Sequence, residues 1–351
     1  MNKIALKQQR IIQIFLKQGK MRSSKVHKEI LKTGEDISLV TIKRALSEMV
    51  EDKILEMTGL GRSTNYTLRS RGRIFTNLDA KQYIDIEPDK RYGLHQYNFD
   101  LLKDFPINIF TDDELKRLEI STAEYKKITT GLSLAIKKKE LERLIIELSW
   151  KSSKIEGNTY TLLDTEKLIL ENKEAPGHAK SEAQMILNHK DAFDYIRKHS
   201  SQFKTITRKN LEELHAILVK NLNINRSFRT KLVGVTGSIY RPLDNVYQIT
   251  EAVNELGKAV SRVETPYTKA LLALLGISYI QPFEDGNKRT ARLMANALLI
   301  SHSLAPLSYR SVEEEDYRNA MLVFYELNSI MPMKKIFIEQ YEFASKNYSV
   351  K

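Results

Sequence analysis

Two amides, two acids, three cations and a glycine crowd the stretch ISYIQPFEDGNKRTAR, residues 277–292. The pattern predicts the end of one helix, a tight loop and the start of another. Gly286 and Asn287 are expected to take positive φ, which would turn the backbone N–H groups of residues 286 to 289 inward where the second helix begins. Such a nest at a helix N-terminus holds an anion, and a di- or triphosphate fits it. Arg289 and Arg292 share one helix face and can clamp further phosphate oxygens. Asp285 is a hard oxygen ligand, and one carboxylate plus substrate phosphates is the ordinary protein share of a Mg²⁺ site. Phe283 should plug the loop into the core. Gln281, the first loop residue, carries no usable proton acceptor near neutral pH. Taken alone, the loop serves equally well as a simple turn capped by cations.

The elements that must hold this loop are helices. Apolar stripes at helical spacing predict them over 112–127, 135–155, 163–172, 180–198, 208–221, 249–262, 266–280, 288–302, 313–327 and 332–346. The exception is SFRTKLVGVTGSIYRPL, residues 227–243, where Val233 and Val235 alternate with smaller residues around Gly237 and predict a hairpin. The chain has 351 residues, 42% of them hydrophobic, which is ample for packed cores. It has no cysteine, which removes disulfides, a thiolate nucleophile and cysteine zinc sites from consideration. Near the start, Gln13 and Lys17 break any apolar run long enough for a signal peptide core, and nothing later approaches the ~18 uninterrupted apolar residues of a membrane span. A cytoplasmic location and no membrane partner are therefore expected.

The net charge of +12 is uneven: residues 1–80 hold 16 Lys/Arg against 8 Asp/Glu. A small basic module points to a polyanion, nucleic acid being the commonest, although a solubilising surface looks the same. Within it, Ile11, Ile12, Phe15 and Leu16 form one helical stripe ending at Gly19. A second helix is expected after Ser24 as N-cap, with Val26, Ile30 and Leu31 inward and a stop at Gly34. A third follows Ser38, burying Leu39, Ile42, Leu46, Met49 and Val50 and leaving Thr41, Lys43, Arg44 and Ser47 outward. ILEMTGLGRSTNYTL then reads as two short strands around Gly59 and Gly61. This order resembles the winged helix-turn-helix family, which implies DNA binding. Thr41, Lys43 and Arg44 would address bases or phosphates, and Arg62 at the wing tip would meet a phosphate. Some winged helices bind protein instead. Residues 71–105 read as an ordered linker.

With its helix-loop-helix frame, PFEDGN-R--R resembles the motif of the Fic family of nucleotidyl transferases. SSKIEGN, residues 152–158, resembles that family's autoinhibitory motif, and the 227–243 hairpin resembles its target-positioning flap. The resemblance implies a mainly α protein: a winged helix over 1–70, the linker over 71–105, and a helical Fic domain over 106–351 with an inhibitory helix at 140–157. It further implies transfer of AMP from ATP to a Ser, Thr or Tyr hydroxyl of a protein, the target being unknown, with Mg²⁺ held at Asp285. Gly286, Asn287, Lys288, Arg289 and Arg292 would line the nucleotide site. Glu156 would pair with Arg292 in the resting state, steadied by Ser152; without that role, Glu156 before Gly157 reads as a solvent-facing helix end. A homodimer is plausible on the same grounds.

Two positions depart from the motif. Gln281 stands where the family has its general-base histidine, so transfer should be weak or lost, because a general base is worth ~10² to 10⁴ in rate. Histidines 27, 95, 178, 189, 199, 215 and 302 are expected to be surface or ordinary helix content, none of them placed in the loop. Lys288 stands where most family adenylyl transferases have glycine, which resembles the phosphate-transferring Doc branch, though Doc-like sequences usually lack the second arginine present here as Arg292. The alternatives to a weak adenylyl transferase are thus a non-catalytic DNA-binding regulator that senses nucleotide and a Doc-like phosphotransferase.

Overall fold

The computed structural model describes residues 6–348. It opens with α1 (Leu6–Gln18), α2 (Ser23–Leu31) and α3 (Leu39–Glu51), then an antiparallel pair, β1 (Leu55–Thr58) and β2 (Asn65–Leu68), joined through a 3-10 turn at Gly61–Ser63. Leu55 pairs with Leu68 and Thr58 with Asn65, while Met21 adds a bridge to Tyr66. Helix α3 is capped as expected: the Ser38 hydroxyl accepts the Thr41 N–H at 3.2 Å. Helix α2 differs. Its cap position is Arg22, which offers no side-chain acceptor, and Ser24 lies inside the first turn. The Met21–Tyr66 bridge fixes the chain up to that point, so the helix starts directly after it. Leu31 is 42% exposed, because Ile30 takes the inward place in the last turn.

The first compact unit runs to Pro106 and takes in Val235–Tyr240 and Asn319–Met333. Its core joins the stripes of α1, α2 and α3 to Leu55, Tyr66 and Leu68, and to Val323 and Leu327 from the later segment. Short helices α4 (Ser70–Ile74), α5 (Ala80–Ile84) and α6 (Asp100–Lys103) occupy the segment read as an ordered linker. That segment is tied down by a buried charge: Glu326 accepts from Arg91 at 3.2 Å, Tyr83 at 2.8 Å and Ser238 at 2.8 Å. A buried carboxylate is tolerable only when so fully partnered.

The second unit covers Ile107–Gly234, Arg241–Arg318 and the chain from Lys334 onward. It is built from α7 (Asp112–Gly131), α8 (Leu134–Ile155), α9 (Leu162–Glu171), α10 (Lys180–Lys198), α11 (Arg208–Leu218), α12 (Val246–Arg262), α13 (Pro266–Ile280) and α14 (Asn287–Ser301). Two further helices, α15 (Glu314–Leu327) and α16 (Met331–Asn347), complete the chain. The expected helix ends differ from these by a few residues. The segment expected as an inhibitory helix at 140–157 is the greater part of α8, which begins earlier, at Leu134 behind the Ser133 cap, and ends at Ile155, leaving Glu156 as C-cap. Helix α13 is apolar on every side and, apart from its N-terminal turn, almost wholly buried, with α14 packed along it.

The stretch 227–243 carries no strand ladder among the described residues. A turn closes where the Ser238 N–H meets the Val235 carbonyl at 3.1 Å. In place of cross-strand bonds, buried Arg229 spends its guanidinium on backbone: Nε donates to the Gln281 carbonyl at 2.7 Å, Nη1 to that of Lys231 at 2.9 Å, and Nη2 to that of Leu243. Five donors on one rigid fork organise the segment without a partner strand.

Candidate functional site

The loop between α13 and α14 is wound by two left-handed residues. Gln281 caps α13 at φ +53, and Gly286 caps the start of α14 at φ +77. A Cβ on Gly286 would meet the His215 ring at 3.4 Å and the Arg289 guanidinium at 3.5 Å, ordinary contact distances, so it is the left-handed backbone and not lack of space that calls for glycine. Asn287, expected at positive φ, is instead the first residue of α14. Its side chain staples the loop: Oδ1 accepts the Phe283 N–H at 2.8 Å, and Nδ2 donates to the Phe283 carbonyl at 2.8 Å and to Gln281 Oε1 at 2.9 Å. The Asn287 amide is thereby consumed, and its backbone N–H is what it has left for a ligand. Gln281 is buried, with Nε2 donating to the Ser278 carbonyl at 2.7 Å. Its side chain is a bracket of the loop.

Phe283 is fully buried, as expected of the plug. What it plugs into was not foreseen. The His215 ring of α11 lies flat on it, with centroids 3.6 Å apart and planes within 4°, and His215 Nε2 meets the Asp285 carbonyl at 2.9 Å. His215 is not in the loop but reaches it from α11, a role that its reading as ordinary helix content did not include. The ring has no exposed surface and both its nitrogens face carbonyl oxygens, Nδ1 that of Arg226 at 3.3 Å, so it braces the loop and presents no lone pair to a substrate. Burial lowers its pKa. His189 of α10 is likewise no surface residue. It is fully buried with both ring nitrogens unpartnered, and burial together with the charges of Arg292 and Arg289 pushes its pKa far down, keeping it neutral.

The cations divide into spent and unspent groups. Arg292, wholly buried, donates to the Ser152 hydroxyl at 2.9 Å, the Ser152 carbonyl at 2.8 Å and Glu156 at 2.9 Å, with its guanidinium 5.4 Å over the Tyr317 ring. Lys288 reaches the other Glu156 oxygen at 3.0 Å. Burial alone would raise the Glu156 carboxyl, but Arg292 and Lys288 outweigh it and hold it below the ordinary carboxylate range. Gly157 follows at φ +95. Arg289 is different: it is 2% exposed, Nη2 lies 3.3 Å from Asp285, and Nε and Nη1 are buried without a partner. Buried donors of a cation left open are expensive, and an anionic ligand is what satisfies them. Burial accordingly depresses its pKa, only partly offset by Asp285 and Glu156.

Asp285 is 63% exposed in its side chain, and its Oδ1 also accepts the Gly286 N–H at 2.6 Å. No cluster of three or more metal-ligating side chains exists among the described residues. The donor set therefore fits Mg²⁺ as an ion shared between one carboxylate and a ligand's phosphates, and not as an ion in a protein cage.

Residues 205–299 match the Fic/DOC family. This part of the chain is a Fic/DOC family domain. Relatives named protein adenylyltransferase Fic include one of Nematostella vectensis, 28% identical over 185 residues, covering 51% of this chain and 43% of the relative. Another, of Drosophila melanogaster, is 31% identical over 166 residues, covering 46% and 34%. The chain thus spans less than half the length of these curated relatives. The Fic fold recurs in Fic-1 of C. elegans, residues 134–508, at TM-score 0.57 and 18% identity over 67% of this chain and 72% of that one. It recurs also in a Fic family protein of Desulfovibrio desulfuricans G20, at 0.56 and 20% over 69% and 75%. The second unit brings Gln281, Asp285, Gly286, Asn287, Lys288, Arg289 and Arg292 of the matched segment together with Ser152 and Glu156, which lie before it. Thr41, Lys43, Arg44 and Arg62 lie on the other unit, all exposed. Reading the sequence missed His215, whose advance signal was a polar residue within an apolar stripe, and Arg229, which carried no such signal.

Proposed function

We propose that this chain is an ATP- and Mg²⁺-binding protein of the Fic adenylyltransferase type, held closed by Glu156 and joined to a DNA-binding winged helix over residues 1–70. The observation that carries the reading is Arg289, whose buried, unpartnered Nε and Nη1 stand at the start of α14, where the first backbone N–H groups have no intrahelical acceptor. A polyphosphate supplies acceptors to both. Asp285 is the carboxylate offered to Mg²⁺, which neutralises phosphate charge when bound. Arg292 would hold the outer phosphate, but Glu156 and Ser152 occupy its donors, and an arginine so engaged cannot clamp phosphate as well.

AMP transfer to a protein hydroxyl needs that proton taken up. Gln281 cannot take it, and its amide is engaged by Asn287 and the Ser278 carbonyl. This favours a second reading, a nucleotide-sensing regulator without turnover. Lys288, the residue behind a Doc-like phosphotransferase reading, is engaged by Glu156 in the closed state. DNA binding is supported by the exposed Thr41, Lys43 and Arg44 on α3 and Arg62 at the hairpin tip. A homodimer and a cytoplasmic location complete the proposal.

Calorimetry with ATP and Mg²⁺ tests the site: Glu156→Gly should bind more tightly than the unaltered chain. Equal binding would remove the inhibitory role, and no binding by either would remove the nucleotide site. Lysate incubated with α-labelled ATP tests turnover. Label on protein with Gln281 in place excludes the regulator reading; label only after Gln281→His supports it.

A further inference from the structure

The turn joining α7 to α8 is unlike the rest of the Fic-bearing unit. From Lys126 to Glu140, Thr129 is the single buried residue. The segment carries Lys126, Lys127, Lys137, Lys138 and Lys139 and no acid before Glu140, which is itself paired with Arg143. None of the five lysines has an ion-pair partner among the described residues. Between the two lysine groups stand apolar side chains in solvent: Ile128 is 42% exposed, Leu134 86% and Ile136 47%.

We propose that this tip docks the protein on an anionic lipid bilayer, the apolar side chains entering the interface and the lysines meeting the headgroups. Nucleic acid would satisfy the lysines but leaves no place for Leu134. A second copy of the chain would bring one unpaired cationic cluster against a molecule of net charge +12. A groove on a partner protein calls for one apolar stripe, whereas Leu134 and Ile136 lie about 200° apart around the helix, with Ile128 on the neighbouring helix. A convex tip that is apolar on several sides suits a fluid interface, which needs no matching shape. No described helix is long and apolar enough to cross a membrane, so the contact is peripheral. It revises the expectation of no membrane partner, which rested on the lack of a spanning segment.

The full chain is sedimented with phosphatidylcholine vesicles, with and without phosphatidylserine. Binding should require phosphatidylserine and weaken as salt rises from about 0.1 to 1 M. Lys137→Glu, Lys138→Glu and Lys139→Glu together should lower partitioning about a hundredfold, at about fivefold per lysine. Leu134→Ser with Ile136→Ser should lower it about tenfold. Lys43→Glu with Arg44→Glu, in the other basic region, should leave vesicle partitioning at its original level while weakening any retention on duplex DNA. The proposal fails if phosphatidylserine vesicles bring down no protein, or if the Lys43 and Arg44 pair abolishes binding while the tip variants do not. It fails too if the tip variants weaken retention of duplex DNA and leave vesicle binding intact. Circular dichroism checks folding, and Lys138→Ala with Lys139→Ala carries the test should the triple reversal unfold.

Discussion

The loop between α13 and α14 and the outer face of α3 both gather cations, yet they hold them in opposite ways. In the loop, Arg292 is enclosed by Ser152, Glu156 and Tyr317, Asn287 by Gln281 and Phe283, and the Asp285 carbonyl by His215. Apart from Nε and Nη1 of Arg289, these polar groups are positioned by other groups of the same chain. On α3, Thr41, Lys43, Arg44 and Ser47 face solvent, and the ion pair on that face is Arg44 with Glu48 at 3.2 Å. The contrast implies that substitutions in the loop are strongly coupled, while those on α3 act independently.

Removing Arg292 should have the largest effect. Arg292→Ala leaves Glu156 with Lys288 alone and opens a hole at a fully buried site, so a loss of about 3–5 kcal/mol is expected in chemical denaturation. The coupling is sharpened by a cycle of Glu156→Gln and Arg292→Gln, whose interaction term should exceed about 1 kcal/mol. Additivity within about 0.5 kcal/mol would place the two arginine environments on the same footing and break the comparison. His215→Ala comes next, at about 3 kcal/mol for a buried ring removed from its stack. It should also weaken ATP binding, because the loop loses the ring that stacks on Phe283 and faces the Asp285 carbonyl. A stability loss with unaltered affinity would make the ring simple core.

His189 supplies a pH test of the same buried network. Its folded pKa is depressed while the unfolded chain titrates near the ordinary histidine value, so the unfolded state binds more protons below that value. The stabilisation is complete above about pH 6.5 and is lost as pH falls, at up to about 1.4 kcal/mol per unit. Glu156, also depressed, adds a second loss at lower pH, below the ordinary carboxylate range. Denaturation at several pH values, with His189→Leu alongside, should show the upper part of the slope shrink in the variant, the remainder belonging to His215, whose pKa burial also lowers. A slope unchanged by the substitution assigns it elsewhere.

What could be read from the sequence follows the same division. The helices of the Fic-bearing unit were readable because their stripes repeat locally, and Ser38, Gly286 and Phe283 announced their roles through residue type. The Glu156–Arg292 contact could be named only through the family resemblance, since it joins helices far apart in the chain. His215 and Arg229 act across still other separations, and a histidine inside an apolar stripe looks the same whether it braces a loop or merely fills space. The 227–243 stretch misled for a related reason. Alternating valines predict strands when backbone pairs with backbone, but here the Lys231 and Leu243 carbonyls meet the donors of one buried arginine and the Val235 carbonyl closes a turn.

Arg44 gives the smallest effect and the cleanest view of the exposed region. Its pair with Glu48 is an exposed i,i+4 contact worth about 0.3–0.5 kcal/mol, so Arg44→Ala should shift the denaturation midpoint barely at all. If the proposed winged helix reads DNA through α3, the same change costs about 1–3 kcal/mol of binding at a base contact. At a phosphate contact it instead weakens all sequences alike and lowers the salt slope by about one ion. Lys43→Ala should add to it with no interaction term, because nothing among the described residues joins the two side chains. Strong coupling between them, or retention on DNA that ignores salt, would mean that α3 is preorganised in the manner of the loop, and that its partner is a protein surface and not a polyanion.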